Sequence, residues 1–518
     1  SSFFKKNTYI HPKHDSYGVR LGLDYYVNDK TTFGISTRGL SNNSIVTKYN
    51  YAQFLNANDS LISTVIADNG QNSLFQSGSV NLNIRHQFDS AGTTLTADVD
   101  YVAYLTNTEQ LYKNDVYLPD GTNSYSDIQN GALPSTINIY AFKSDYIQPL
   151  KHNDRFDAGL KTSYTQTDND AVYLITQNNI TQNNYNLSNH FKYDEMINAG
   201  YLNYTRSFKK LELQAGLRFE ATILNGKQLG NALKPYSSFN RNYNSLFPTV
   251  YISYKLDTAA NNNVNLSYGK RIERPFYKDL NPFSSPLDKY TYYEGNPYLR
   301  PTFEHNVSFA YSFKEFFTTT LYYSNTLNNI QETVEIIDGI YYNRPGNIAS
   351  SELASFSVEG SIPVTKWLTT NVYSELIYSH YKSKIYAETL NATGTCFFIS
   401  TNNNFKFKKG WSAELSGQYI TDQIDSQFSF GDYGFFNVGV QKKILKDLGS
   451  LKINMSDLLL TNRIRGTIHN LHLTDAIWYG LRDTRVLYIT FSYRFGKTKN
   501  SKPKHSSTGA ETEQNRVK

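Results

Sequence analysis

Three groupings of residue types in this chain could do chemistry. His469-Asn-Leu-His472, followed by Asp475, offers two imidazoles and a carboxylate, the donor types that hold zinc. Asp168-Asn-Asp170 and Asp422–Asp425 gather carboxylates that suit calcium, and Cys396 is a single thiol. None has the spacing its chemistry needs. A His-x-x-His pair off a helix does not bring both rings to one side, and neither acidic set follows the twelve-residue calcium loop. One cysteine permits neither a disulfide framework nor a multi-cysteine metal site, so Cys396 reads as a small residue in a strand. The Gly-x-Ser-x-Gly, His-Glu-x-x-His, phosphate-loop and Cys-x-x-Cys patterns do not occur. The expectation is a protein that is not an enzyme and uses no metal or cofactor. The remaining catalytic route is a hydrolase whose residues converge from separate strands without a local motif.

The elements that would position any site are strands. Among 518 residues there are 43 Tyr and 31 Phe but only 2 Met and 1 Cys, a bias that suits pleated surfaces. Mean hydropathy is −0.52, and no apolar run approaches the ~18 residues of a spanning helix. A barrel strand needs only every second residue apolar, so this composition leaves a membrane barrel open. The net charge of +6 is concentrated in the tail, where residues 496–518 hold six Lys/Arg and two Asp/Glu. A near-neutral body gives no nucleic-acid footprint. The first six residues, Ser-Ser-Phe-Phe-Lys-Lys, lack the apolar region of a signal peptide.

Period-two alternation is the dominant pattern. Leu211, Leu213, Ala215, Leu217 and Phe219 share one face, with Glu212, Gln214, Arg218 and Glu220 on the other. Val80, Leu82, Ile84 and Phe88 repeat it, as do Leu95, Ala97, Val99 and Tyr101, then Val264, Leu266 and Tyr268, then Val307, Phe309, Tyr311 and Phe313. Aromatic pairs such as Tyr25-Tyr26, Phe316-Phe317 and Phe435-Phe436 crowd the segment ends, which suits interfacial girdles.

Connections alternate in length. Tight ones fall at Asn28–Lys30, Asp89–Gly92, Pro149–Asp154, Lys209–Lys210, Asp257–Asn262, Lys314–Glu315, Pro363–Lys366, Lys408–Gly410 and Lys446–Gly449. Long polar loops are expected at Ser41–Ser73, Asn107–Ser135, Asp168–Asn198, Asn225–Ser245 and Arg271–Phe303. An up-and-down barrel in an outer membrane sorts its loops this way, because one set of ends faces the periplasm. The fold expected is all-β, a large antiparallel transmembrane barrel of about nineteen strands, drawn from one of 20–22. Residues 1–17 read as a loop, 18–496 as the barrel, and 497–518 as a disordered polar periplasmic tail. The odd count implies a chain that begins inside a barrel.

Arg271-Ile-Glu-Arg-Pro-Phe-Tyr-Lys-Asp-Leu-Asn-Pro-Phe283 and Tyr290-Thr-Tyr-Tyr-Glu-Gly-Asn-Pro-Tyr-Leu-Arg-Pro301 are specific blocks. They resemble the outer-membrane β-barrel family of Bacteroidetes TonB-dependent receptors. Arg274, Pro275, Tyr277, Leu280, Asn281, Pro282 and Phe283 match one family motif. Gly295, Asn296, Pro297, Leu299 and Pro301 match the other. The segment Tyr17–Thr32 and the tail Ser507–Arg516 are also similar to the family. Prolines 275, 282, 286, 297 and 301 remove backbone donors, so the segment reads as a rigid, proline-braced outer loop. Alternatively, Arg274, Tyr277, Tyr292 and Tyr293 contact substrate at the barrel mouth.

The resemblance implies a location in a Gram-negative outer membrane and a role as the translocation barrel through which an unidentified substrate is taken up. The implied partners are outer-membrane lipid and lipopolysaccharide. The barrel-assembly machinery is a further partner, reading the alternating last strand with Leu487, Ile489, Phe491, Tyr493 and Phe495. The TonB system joins them where a plug domain lies upstream. The rival readings are a plug-less porin and a soluble secreted glycan-binding adhesin.

Overall fold

The computed structural model describes residues 2–257, 261–288, 290–314, 316–386, 388–471, 474–495 and 508–517. Among the described residues, nineteen strands form one antiparallel up-and-down wall, each paired with the next of them in the chain. They are β1 (Ser2–Asn28), β2 (Thr31–Asn56), β3 (Leu61–Gln87), β4 (Thr94–Tyr117), β5 (Asn123–Pro149) and β6 (Arg155–Gln177). Next come β7 (Asn189–Ser207), β8 (Leu211–Gln228), β9 (Ser237–Lys255), β10 (Asn262–Glu273), β11 (Thr302–Phe313), β12 (Phe317–Ile337) and β13 (Ile340–Pro363). The wall ends with β14 (Leu368–Ile385), β15 (Glu388–Lys406), β16 (Trp411–Ile420), β17 (Tyr433–Ile444), β18 (Gly449–Met455) and β19 (Leu487–Tyr493). Among the described residues, β1 pairs with β2 alone and β19 with β18 alone.

Alternation decides which side of the wall is which. On β8, Leu217 and Phe219 are 51% and 46% exposed, while Glu220 and Thr222 on the alternate face are buried. On β4, Val99 and Tyr101 face outward and exposed, whereas Asp98 and Asp100 are buried inside. A soluble sandwich hides its apolar face and wets its charges; this wall does the reverse. Apolar side chains outward and charges inward are the arrangement of a barrel in lipid around a wet lumen. Aromatics gather at the tight-turn rim, where Trp367 stacks with Phe405 and Phe407 at 6.1 and 6.4 Å. Lys442 lies over Trp411, and Phe88 packs against Tyr146. These rings form a girdle at the membrane interface.

The tight connections, so far as their residues are described, lie at that rim. Their local chemistry is polar: Asn28 Oδ1 accepts from the backbone of Lys30 and Thr31, and Asp89 Oδ1 from Gly92 and Thr93. Lys30 and Lys210 donate to the carbonyls of Phe88 and Leu256, ending neighbouring strands.

The opposite end differs from the sequence expectation. Most of the expected long loops are strand. Ser41–Ser73 is paired as β2 and β3 from Ser41↔Gln76 to Leu55↔Leu61, so the connection shrinks to residues 57–60. Asn107–Ser135 is likewise β4 and β5, joined by residues 118–122. Beyond the bilayer both strand faces are wet, so alternation fades, but backbone N–H and C=O groups still need partners and the adjacent strand supplies them. Residues 2–17 also belong to β1 rather than to a loop, and Pro12 sits opposite Val46. Arg271–Phe303 is the connection that matches its expected irregularity.

Candidate functional site

β10 carries Arg271 to its end at Glu273, after which the described residues of 274–301 turn into the lumen, with Thr291–Tyr293 pairing in parallel with Tyr341–Asn343 of β13. Proline forbids continued pairing, and the chain instead makes a short 3-10 turn, Tyr277–Leu280, and a small hairpin, Ser284–Asp288 with Thr291–Glu294. Leu280, Phe283 and Leu299 pack in one cluster with Tyr173, Phe191, Tyr193 and Leu224 from the inner face of β6, β7 and β8. Burying these side chains stabilises the inward fold by roughly 1.5–3 kcal/mol each.

Polar groups fix the first motif. Arg274 donates through Nη2 to Glu220 Oε2 (2.6 Å) and Thr222 Oγ1 (3.0 Å), and through Nε to the Tyr243 hydroxyl (3.2 Å). Arg218 Nε donates to the other Glu220 oxygen at 2.6 Å, so one buried carboxylate joins wall and loop. Tyr277 is 3% exposed and its hydroxyl donates to Thr165 Oγ1 at 3.2 Å. The Nε and Nη2 of Arg274 and the hydroxyl of Tyr277 are thus bound by the protein itself.

The last residues of the chain complete this site. Residues 508–517 lie in the lumen, ending in a helical turn, Glu511–Gln514. Arg516 forks onto Glu195, donates through Nε to the Pro275 carbonyl at 2.9 Å, and lies 4.3 Å from the centre of the Tyr277 ring. Tyr277 N–H donates back to the Arg516 carbonyl at 3.2 Å, and the Tyr193 hydroxyl donates to Glu195 at 2.9 Å. The expectation of a disordered periplasmic tail over 497–518 fails for 508–517. Glu513 and Arg516 find opposite charges on strands over 300 residues away, which the local composition cannot register.

The second motif braces the outer half of the loop. A Cβ on Gly295 would stand 2.0 Å from the Asn281 carbonyl oxygen, so only glycine allows the two motifs to touch. Asn296 donates its backbone N–H to the Asp279 carbonyl (2.6 Å) and its Nδ2 to the Pro345 carbonyl (3.3 Å). Pro297 and Pro301 flank the segment in which Asn347 exchanges hydrogen bonds with the Arg300 backbone. Tyr293 donates to Asp279 Oδ1 at 2.8 Å; burial and that adjacent carboxylate push its hydroxyl well above the ordinary tyrosine range, so it stays a donor. Tyr292 stacks on Tyr342 of β13, and Arg344 bridges Glu294 and Glu335 at 2.6 and 2.5 Å. The sequence motifs signalled neither Arg344 nor Glu195; Glu220 was legible only as a lumen-facing charge.

Two cavities flank the loop. One of about 470 Å³ opens outward between Phe239, Tyr298, Asn296, Arg344, Asn347 and Tyr386. The other, about 870 Å³, lies within the lumen against Lys161, Arg218, Glu220, Lys270, Arg271 and Glu513. Among the described residues, no three His, Cys, Asp or Glu side chains gather as a metal site would need. His469 faces Ser429 at 2.8 Å in a small sheet over the outer end, and His472 lies outside the described residues. Asp168 pairs with His190 and Lys192, and Asp422 accepts the Asp432 N–H. Cys396 sits within β15.

An inside-out strand pattern, an aromatic girdle and a loop folded across a charged lumen define an outer-membrane β-barrel. The chain belongs to the outer membrane protein beta-barrel family, whose model matches residues 86–493, and is a protein of the cell outer membrane. The fold is that of receptor barrels. The ferric yersiniabactin uptake receptor FyuA from Yersinia pestis aligns over 95% of this chain and 80% of its own, with 12% identity and a TM-score of 0.57. The siderophore receptor PiuA from Acinetobacter baumannii aligns over 94% and 81%, with 10% identity and a TM-score of 0.50. None of the curated proteins compared matches the chain.

Proposed function

We propose that this chain is the translocation barrel of a TonB-dependent uptake receptor, acting by binding and passage rather than by catalysis. The observation that carries the reading is the proline-braced loop, held across a charged lumen with a cavity on its outer side. A passive porin needs an open channel, whereas an ordered loop in the lumen suits a gated one. Substrate then meets Phe239, Tyr298 and Arg344 at the outer cavity, while Arg274, Tyr277, Tyr292 and Tyr293 hold the loop that presents them. Pro275, Asn281, Pro282, Gly295, Asn296, Pro297 and Pro301 give that loop its shape. TonB acts on this barrel only where a plug domain accompanies it, outward aliphatic side chains meet lipid and lipopolysaccharide, and the Leu487–Phe495 strand is read by the assembly machinery. The test is growth of a deletion strain on single nutrient classes, with and without TonB. Growth that depends on both gene and TonB for one class supports the reading. Uptake equal in TonB-deficient cells refutes it and leaves a porin.

A further inference from the structure

The inner wall carries a feature that an uptake pore does not require. Val102, Ile139 and Ala141 are apolar and face the lumen, next to Asp98, Asp100 and Lys143. In a water-filled barrel such an inward apolar patch has no stabilising partner. Here its partner is Ala510, completely buried, with Val517 packed alongside. Around the patch stand three polar sockets. Asp100 Oδ2 accepts the Gly509 N–H at 2.7 Å. Lys161 and Ser163 hold Glu513 at 2.8 and 2.9 Å. Glu195, with the Tyr277 ring and the Pro275 carbonyl, holds Arg516. Glu513 and Arg516 are both nearly fully buried. A buried carboxylate or guanidinium is tolerated only with matched partners, and each of these has them.

The order of contacts has a direction. Asp100 lies six residues from the tight-turn end of β4 at Thr94, and Lys161 six from the start of β6 at Arg155. Glu195 lies twelve residues from the tight-turn end of β7 at Ser207. The segment therefore climbs from the periplasmic third of the lumen to mid-depth, where it meets the underside of the proline-rich loop.

We propose that the inner faces of β4–β7 form a peptide-binding site for this chain's own C-terminal segment, residues 508–517, and that the bound segment latches the proline-rich loop to the wall. Arg516 is the bolt: it touches the loop through Pro275 and Tyr277 and the wall through Glu195. Loss of the segment frees the loop and opens the lumen beneath the outer cavity. The latch holds whatever solute the barrel takes up, and it does not rest on the TonB reading.

Two measurements on the protein purified from outer membranes test this, each scored only on molecules that keep the heat-dependent gel shift of an assembled barrel. The first is a disulfide between Lys143→Cys and Gly509→Cys in a Cys396→Ser background. A Cβ on Gly509 would stand 3.1 Å from the Lys143 Cβ, a few tenths of an ångström inside the usual disulfide spacing of about 3.5–4.5 Å. The latch requires both thiols to resist maleimide labelling until reductant is added. The second is hydrogen exchange of residues 276–283 and 296–300. Arg516→Glu should speed exchange there about tenfold or more, with the turns at the tight-turn rim unchanged, and Glu195→Arg added to it should restore part of the protection. If Arg516→Glu does not assemble, Arg516→Gln is read the same way. Free thiols in the oxidised double-cysteine protein, or loop exchange indifferent to Arg516, would overturn the proposal.

Discussion

Leu217→Arg tests which side of the wall meets lipid. The outward positions of β8 run through Leu211, Leu213, Ala215, Leu217, Phe219, Ala221 and Ile223. At ~3.4 Å per residue and a tilt of ~40°, that run rises about 31 Å, an apolar band of about 25 Å with its rims. Leu217 is the midpoint of the run and is 51% exposed. An arginine at the bilayer midplane costs about 2–4 kcal/mol. The same change on the water-facing side of a soluble sheet costs about 0.5 kcal/mol or less. At about 1.4 kcal/mol per decade, the barrel predicts a folding equilibrium weaker by about 30- to 800-fold. Gln214→Arg, on the inner face of the same strand, is the control. It loses the hydrogen bond from Gln214 Nε2 to Asn203 Oδ1 (3.1 Å), worth about 1 kcal/mol, and places the charge in water. Reversible urea unfolding in phospholipid vesicles, followed by fluorescence of Trp367 and Trp411 at the rim, reads both. A Leu217→Arg protein within about 0.5 kcal/mol of the parent, or a Gln214→Arg protein that suffers as much, would refute the assignment of faces.

Three further outcomes follow from the loop. Glu220→Leu strips Arg274 of its ion pair in a buried setting and should cost about 3 kcal/mol, read by the same urea titration. Gly295→Ala drives a methyl into the Asn281 carbonyl, so the loop must shift; a loss of about 1–3 kcal/mol, with new protease cleavage inside 276–300, is expected. Tyr298→Ala removes a 61% exposed ring from the outer cavity and should weaken solute capture by up to about tenfold while leaving the gel shift of the folded barrel intact.

Much of the wall was legible because its information is local. Leu211–Glu220 alternates within ten residues, and the pleat converts that alternation directly into two faces. Each tight turn holds its own cue, as in the Asn28 and Asp89 side chains that cap their own backbones. Hairpin extensions such as Ser41–Ser73 are not legible, for the same reason in reverse. Their strands are held by backbone pairing, which leaves no periodic mark where both faces are wet.

By itself the sequence determined the two-faced strands, the nine tight turns and the proline-braced loop, since each depends on residues close in the chain. It could not say where that loop goes. The inward fold depends on Leu280 and Phe283 meeting Tyr173, Phe191 and Tyr193, side chains brought together only when β6–β8 stand side by side. Nor could it place the last ten described residues. Arg516 follows a Lys- and Ser-rich stretch that reads as solvated, and its partner Glu195 lies 321 positions earlier. Electrostatic pairing falls off with distance in space, not along the chain, so only the side-by-side arrangement of β4–β7 turns a polar tail into the occupant of the lumen.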